Sequence, residues 1–146
     1  MLNKDFKEFI ELLNKNDVQY LLIGGYAVAL HGHPRYTKNI DSLIGNTQDN
    51  AKKMMHAITE FGCSSLGLTF KDFMSEKNII QLGFPPVRID IITNVNGVDF
   101  SVLYENRKLF KIDDIELSLI NLEDLKKIKK IAGRHQDLAD IEALEE

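Results

Sequence analysis

Two aspartates, Asp41 and Asp90, each interrupt an apolar run: NIDSLI (39–44) and VRIDIIT (87–93). A carboxylate in such a run costs free energy unless it meets a cation, a hydrogen-bond donor or water. If each run is a strand, alternation places Asn39, Asp41 and Leu43 on one face, and Arg88, Asp90 and Ile92 on one face of the other. Should both strands lie in one sheet with these faces aligned, the two carboxylates approach each other. Like charges at close range push one pKa up or demand a cation. Magnesium meets the demand, since it takes oxygen ligands and binds one or two carboxylates together with substrate phosphates. A third feature precedes both acids. Gly24-Gly25 ends the apolar run VQYLLIGG (18–25), so that bare backbone N–H groups at the start of the next helix can face a phosphate. The order is a phosphate cradle, a metal-binding acid on the next strand, and a further acid on a later one.

The elements that would position these groups are readable from periodicity. DFKEFIELLNKN (5–16) carries Phe6, Phe9, Ile10 and Leu13 at helical spacing. YAVALHG is a short helix closed by Gly32, with Pro34 preventing its continuation. Residues 45–62 form a helix with Thr47 as N-cap, a stripe of Ala51, Met54, Met55, Ile58 and Phe61, and Gly62 as its stop. A short helix is expected near FKDFM. IIQLGF (79–84) and VRIDIIT (87–93) read as an antiparallel hairpin turned at Pro85-Pro86. A short helical segment is expected around SVLYEN, and KLFKI and IELSLI are expected as edge strands. The chain then turns helical: NLEDLKKIKKIAG (121–133) with Asn121 as cap, and RHQDLADIEALEE with Leu138, Ile141 and Leu144 as its stripe. The fold class is therefore α/β or α+β, a small mixed sheet flanked by helices. The 146 residues suit one domain, with a C-terminal helical part at about 121–146 that could pack on the sheet.

Composition narrows the function classes. A single cysteine, Cys63, excludes a disulfide framework and a cysteine-rich zinc site, and suits the cytoplasm. The N-terminus is amphipathic, and no apolar run approaches the ~18 residues of a membrane span. The net charge of −4 offers no overall attraction to a polyanion, which disfavours a nucleic-acid-binding domain built on the KKIKK helix. Basic residues do cluster, in HPRYTK (33–38) and KKIKKIAGR (126–134). Arg35, Tyr36 and Lys38 could stack on a base or pair with phosphate, with solvent exposure in a loop as the simpler reading. His31 closes the short helix and is read as a partner for backbone or phosphate. No ligand-spaced set accompanies it or His33, as zinc would require.

Three segments together resemble a known family. GGYAVALHGHPRYTKNID, the later RIDI, and KKIAGRHQDLADIEAL are similar to the nucleotidyltransferase superfamily related to DNA polymerase beta. The likeness is to small bacterial members with a Gly-Gly signature, which include minimal nucleotidyltransferases and abortive-infection-type toxins. It runs from Leu22 to Leu144. The resemblance implies transfer of a nucleoside monophosphate from an NTP to an acceptor, with pyrophosphate leaving, on a magnesium-dependent site of two ions. Gly24 and Gly25 would hold the triphosphate, assisted by Lys38, Lys130 and Arg134. Lys129 falls in the same C-terminal segment, and Asp137 would orient Arg134. A surface charge network is the alternative for these C-terminal residues. Position 39 and Asp41 would be paired metal acids and Asp90 the third. The acceptor is left open among a protein hydroxyl, a transfer RNA end and a small molecule.

The chain departs from the family at one decisive place. Asn39 stands where members carry Asp; its amide oxygen can ligate a metal but brings no charge. Loss of that charge should cost roughly several kcal/mol of transition-state stabilisation, hence ~10³-fold in rate. Three explanations stay open: a catalytically degenerate binding module, for example with a cognate toxin or antitoxin; activity with one ion rather than two; or a deliberate substitution.

Overall fold

The computed structural model describes residues 3–33, 39–76, 79–84 and 87–145. The basic turn with Arg35, Tyr36 and Lys38, and the Pro85-Pro86 turn, lie outside the described residues. The chain begins with helix α1 (Lys4–Lys15), whose N-terminus is capped by Asn3 Oδ1 accepting from the Asp5 N–H at 2.8 Å. Its stripe of Phe6, Phe9, Ile10 and Leu13 is buried. Strand β1 (Tyr20–Ile23) follows, and all four of its residues are buried. A strand apolar on both faces belongs in the interior of a sheet. The two glycines stop the strand as expected, but helix α2 (Gly24–Leu30) begins with them rather than at Tyr26.

Strand β2 (Asn39–Ile44) turns Ile40, Ser42 and Ile44 to a face with no solvent exposure. Helix α3 (Gln48–Glu60) starts at Thr47, whose Oγ1 accepts from the Asn50 N–H at 3.2 Å. Asn50 is a joint that the helical pattern alone does not reveal. Its Oδ1 accepts from Gln19 N at 2.7 Å, while its Nδ2 donates to Gln19 O and Gly45 O, tying the entry of β1 to the exit of β2. Short 3-10 turns at Ser64–Leu66 and Phe70–Met74 lead to β3 (Ile79–Phe84) and β4 (Val87–Ile92), an antiparallel pair. Helix α4 (Phe100–Glu105), strands β5 (Lys108–Ile112) and β6 (Ile115–Leu119), and helices α5 (Leu122–Ala132) and α6 (His135–Leu144) complete the chain.

The strands form one mixed sheet in the order β3-β4-β2-β1-β6-β5. Parallel pairing joins β2 to β4 and β1 to β6; the other neighbours are antiparallel. The expectation of two C-terminal edge strands is corrected here. Of these two, β5 lies at an edge, opposite the β3 edge, and β6 is interior, with Leu117 and Leu119 buried and Leu119 paired with Leu22 of β1. A second correction concerns α6. Leu138 is 51% exposed, and the inward positions of the helix are Asp137, Asp140 and Leu144. The helix turns its acids inward because a lysine awaits them there.

Candidate active site

The site is assembled by the parallel pairing of β2 with β4. Asp41 and Asp90 are direct register partners, and so are Asn39 and Arg88. The same pairing that buries Ile40 against Ile89 on one face brings the two carboxylates together on the other. Asn39 bridges them: its Nδ2 donates to Asp41 Oδ1 at 2.5 Å and to Asp90 Oδ2 at 3.2 Å. Arg88 grips Asp90 at two points, Nε to Oδ1 at 3.0 Å and Nη2 to Oδ2 at 3.1 Å. Asp90 is buried, and Asp41 is half-buried. Burial first, and the negative charge of Asp90 second, push the Asp41 carboxyl up to about 6; the Asn39 hydrogen bond and the charges of Lys129 and Arg88 oppose that rise.

Gly24 sits against Asp41 so closely that any side chain there would displace the carboxylate and strain the backbone. Its φ is +76°, and a Cβ there would fall 2.1 Å from Asp41 Oδ2. The Gly24 turn is thus fitted to the Asp41 carboxylate. Gly25 is buried within α2. Both Gly24 and Asp41 line a cleft of about 450 Å³ whose other walls include Ile79 and Ile92 of the β3-β4 hairpin and Ile128, Lys129 and Ile131 of α5.

The C-terminal residues divide. Arg134 lines the cleft with a largely exposed side chain and holds Asp137 through Nε to Oδ2 at 2.6 Å. Lys129 lines it too, but it is only 4% exposed and its Nζ is committed to Asp137 at 3.3 Å and Asp140 at 2.9 Å. Burial alone would raise the Asp137 carboxyl, but Arg134 and Lys129 outweigh it and hold the group below the usual carboxylate range. Lys130 is exposed and does not line the cleft. Lys38 lies outside the described residues. His31 meets the backbone, its Nε2 2.8 Å from the Ile120 carbonyl oxygen. Arg88 is the site residue that sequence reasoning left without a role. Its place beside Asp90 in R-I-D followed from alternation, but its two-point grip depends on a rotamer that spacing does not reveal.

The donor set suits a magnesium ion that completes its shell with phosphate. Among the described residues no group of three or more His, Cys, Asp or Glu is placed to enclose a metal. Two adjacent carboxylates, one of them held up near 6 by burial and its neighbour, have the chemistry of an oxygen site short of positive charge. Asn39 can join such a site by turning its amide so that the oxygen replaces the nitrogen toward the carboxylates.

Comparisons with known proteins bear on the family and the fold. Residues 2–145 match the profile of a family described as nucleotidyltransferase of unknown function (DUF6036). Among solved structures, the fold is similar to that of a candidate nucleotidyltransferase from Thermotoga maritima, with TM-score 0.63 and 14% identity over 94% of this chain and 88% of that one. It is also similar to the lincosamide antibiotic adenylyltransferase LnuA in its lincomycin-bound form, with TM-score 0.59 and 15% identity over 99% and 97% of the two chains. A comparison with curated protein sequences gives no match.

Proposed function

The chain belongs to this nucleotidyltransferase family, and on that premise we propose that it moves a nucleoside monophosphate from an NTP to a hydroxyl acceptor in the cleft between the β3-β4 hairpin and α5. The observation that carries the reading is the placement of Asp41: it lines the cleft, touches the Gly24 turn, and has Asp90 as its strand partner. In the transfer, the acceptor oxygen forms a bond to the α-phosphorus while the bond from that phosphorus to the bridging oxygen of pyrophosphate breaks. The leaving oxygen takes the electron pair, and the hydroxyl proton passes to a carboxylate of the Asp41–Asp90 pair. Magnesium, held by Asp41 with Asp90 and the Asn39 oxygen as neighbours, would supply neutralisation of the phosphate charge.

The chain's own residues supply position. Gly24 leaves room for Asp41 at the helix start, Arg88 and Asn39 fix Asp90, and exposed Arg134 offers the cleft a cation for the phosphates. The acceptor could be a protein, a transfer RNA end or a small molecule. LnuA, of similar fold, is an adenylyltransferase of an antibiotic, which favours trying small hydroxylated acceptors first.

Asn39 favours a second reading, a binding module in which the fold persists with little or no transfer, for example in a toxin–antitoxin pair. Incubation with α-labelled NTPs, magnesium and acceptor fractions separates the two. The transferase reading expects label transfer that Asp41→Asn abolishes and Asn39→Asp raises by ~tenfold or more. No transfer by either wild type or Asn39→Asp, together with no metal-dependent NTP binding, sinks it.

A further inference from the structure

Both oxygens of Asp90 are engaged by the chain's own donors: Arg88 reaches each of them, and Asn39 adds a further hydrogen bond to Oδ2. The pairing is side by side along one strand, with Arg88 two residues from Asp90 on the same face. Asp41, by contrast, receives the Asn39 amide, while the guanidinium goes to its neighbour. The cleft divides them in the same way. Asp41 lines it, whereas Asp90, Arg88 and Asn39 do not.

We propose that Arg88 is the resident cation of Asp90 and stands in place of a second divalent ion, so that this chain works with a single metal ion, held by Asp41. The inference rests on the nucleotidyltransferase reading of the cleft and deepens it. Its physical basis is charge. A guanidinium keeps its charge at every ordinary pH, and a two-point pair with a carboxylate is among the stronger charge-assisted contacts. With Asn39 neutral and Arg88 cationic, the two carboxylates carry one uncompensated negative charge between them. One divalent ion together with the triphosphate balances that charge. A second ion would have to displace Arg88 or sit beside it, and the repulsion of like charges a few ångströms apart opposes both. The uncharged residue at position 39 and the arginine at position 88 are then complementary features: the first removes a ligand charge, and the second fills the electrostatic place of the ion that charge would have held.

Manganese substitutes for magnesium and can be counted directly. The full chain is titrated with Mn²⁺ and free ion is followed by electron paramagnetic resonance, alongside calorimetric binding of a nonhydrolysable NTP. The wild type is expected to hold one Mn²⁺ per chain. Arg88→Gln, which strips the cation from Asp90, is expected to bind Mn²⁺ at least ~tenfold more tightly. At saturating Mn²⁺ its NTP affinity should stay within about threefold of wild type, since the arginine serves the carboxylate rather than a phosphate. Two ions per wild-type chain with NTP binding intact overturn the single-ion assignment and leave the transferase reading standing. Unchanged or weakened Mn²⁺ binding in Arg88→Gln also overturns it, as does an Arg88→Gln defect confined to NTP affinity. A wild type that takes up neither Mn²⁺ nor NTP overturns both. If Arg88→Gln fails to fold, Arg88→Lys decides: retention of charge predicts a single ion, and a second ion contradicts the proposal.

Discussion

At the scale of the residue, burying Asp41, and setting it beside Asp90, produces a carboxyl that holds its proton more tightly than usual. The unfolded side chain titrates near 3.8 and the folded one near 6, so the folded state binds this proton more tightly. Stability conferred by this group is therefore fully present below pH ~4 and is lost as pH rises through about 6, with a span of roughly 2 kcal/mol after solvent screening. Denaturant melts of wild type and Asp41→Asn across that interval should show the asparagine form losing this component of the pH dependence. Unaltered pH dependence would mean that Asp41 is not under the strain of burial and charge described. Gly24→Ala is expected to displace the Asp41 carboxylate, because the added carbon would fall 2.1 Å from its oxygen in a backbone conformation that alanine resists. Metal-dependent NTP affinity should fall by ~tenfold or more in that variant, measured by calorimetry. The two aspartates and the glycines were legible as types at spacings. What was not legible is that Gly24 and Asp41 fit each other, since that contact depends on how β2 lies against the start of α2.

Among elements, the C-terminal pair α5 and α6 is held by a polar core. Lys129 of α5 sits between Asp137 and Asp140 of α6, each of the three no more than 4% exposed. Removing the cation leaves two buried carboxylates without their lysine. Lys129→Met is therefore expected to destabilise the protein by about 3–5 kcal/mol, against within ~0.5 kcal/mol for Lys130→Met on the exposed side. Chemical denaturation of the two variants checks the contrast; similar values for both would contradict the buried network. Apolar periodicity found both helices and the inward Leu144, but it turned Leu138 inward and missed Asp137 and Asp140, because a search for leucines passes over an aspartate whose partner lies on another helix. Similarly, IELSLI carried the alternation of a half-buried strand, yet nothing local distinguished an edge from an interior position. The parallel pairing of Leu119 with Leu22 is a contact between segments far apart in sequence. Elements whose signal is local, such as α1 with its stripe and α3 with its Thr47 cap, came through closely.

For the whole molecule, a mixed sheet covered by helices delivers two distant strands to one cleft, and the family match spans nearly the full chain. Among the described residues no helix is long and apolar enough to cross a membrane. The cleft pairs an apolar wall from Ile79, Ile92, Ile128 and Ile131 with a charged floor at Asp41, Lys129 and Arg134, a combination suited to a base on one side and phosphates on the other. A crystal structure of the wild type with a nonhydrolysable NTP and magnesium tests the central claim most directly. The account predicts triphosphate density between the Gly24 turn and Asp41, with a metal ion against the Asp41 carboxylate. Nucleotide bound instead in the separate hollow beside Thr47 and Phe100, or a nucleotide-free cleft at saturating NTP, would contradict it.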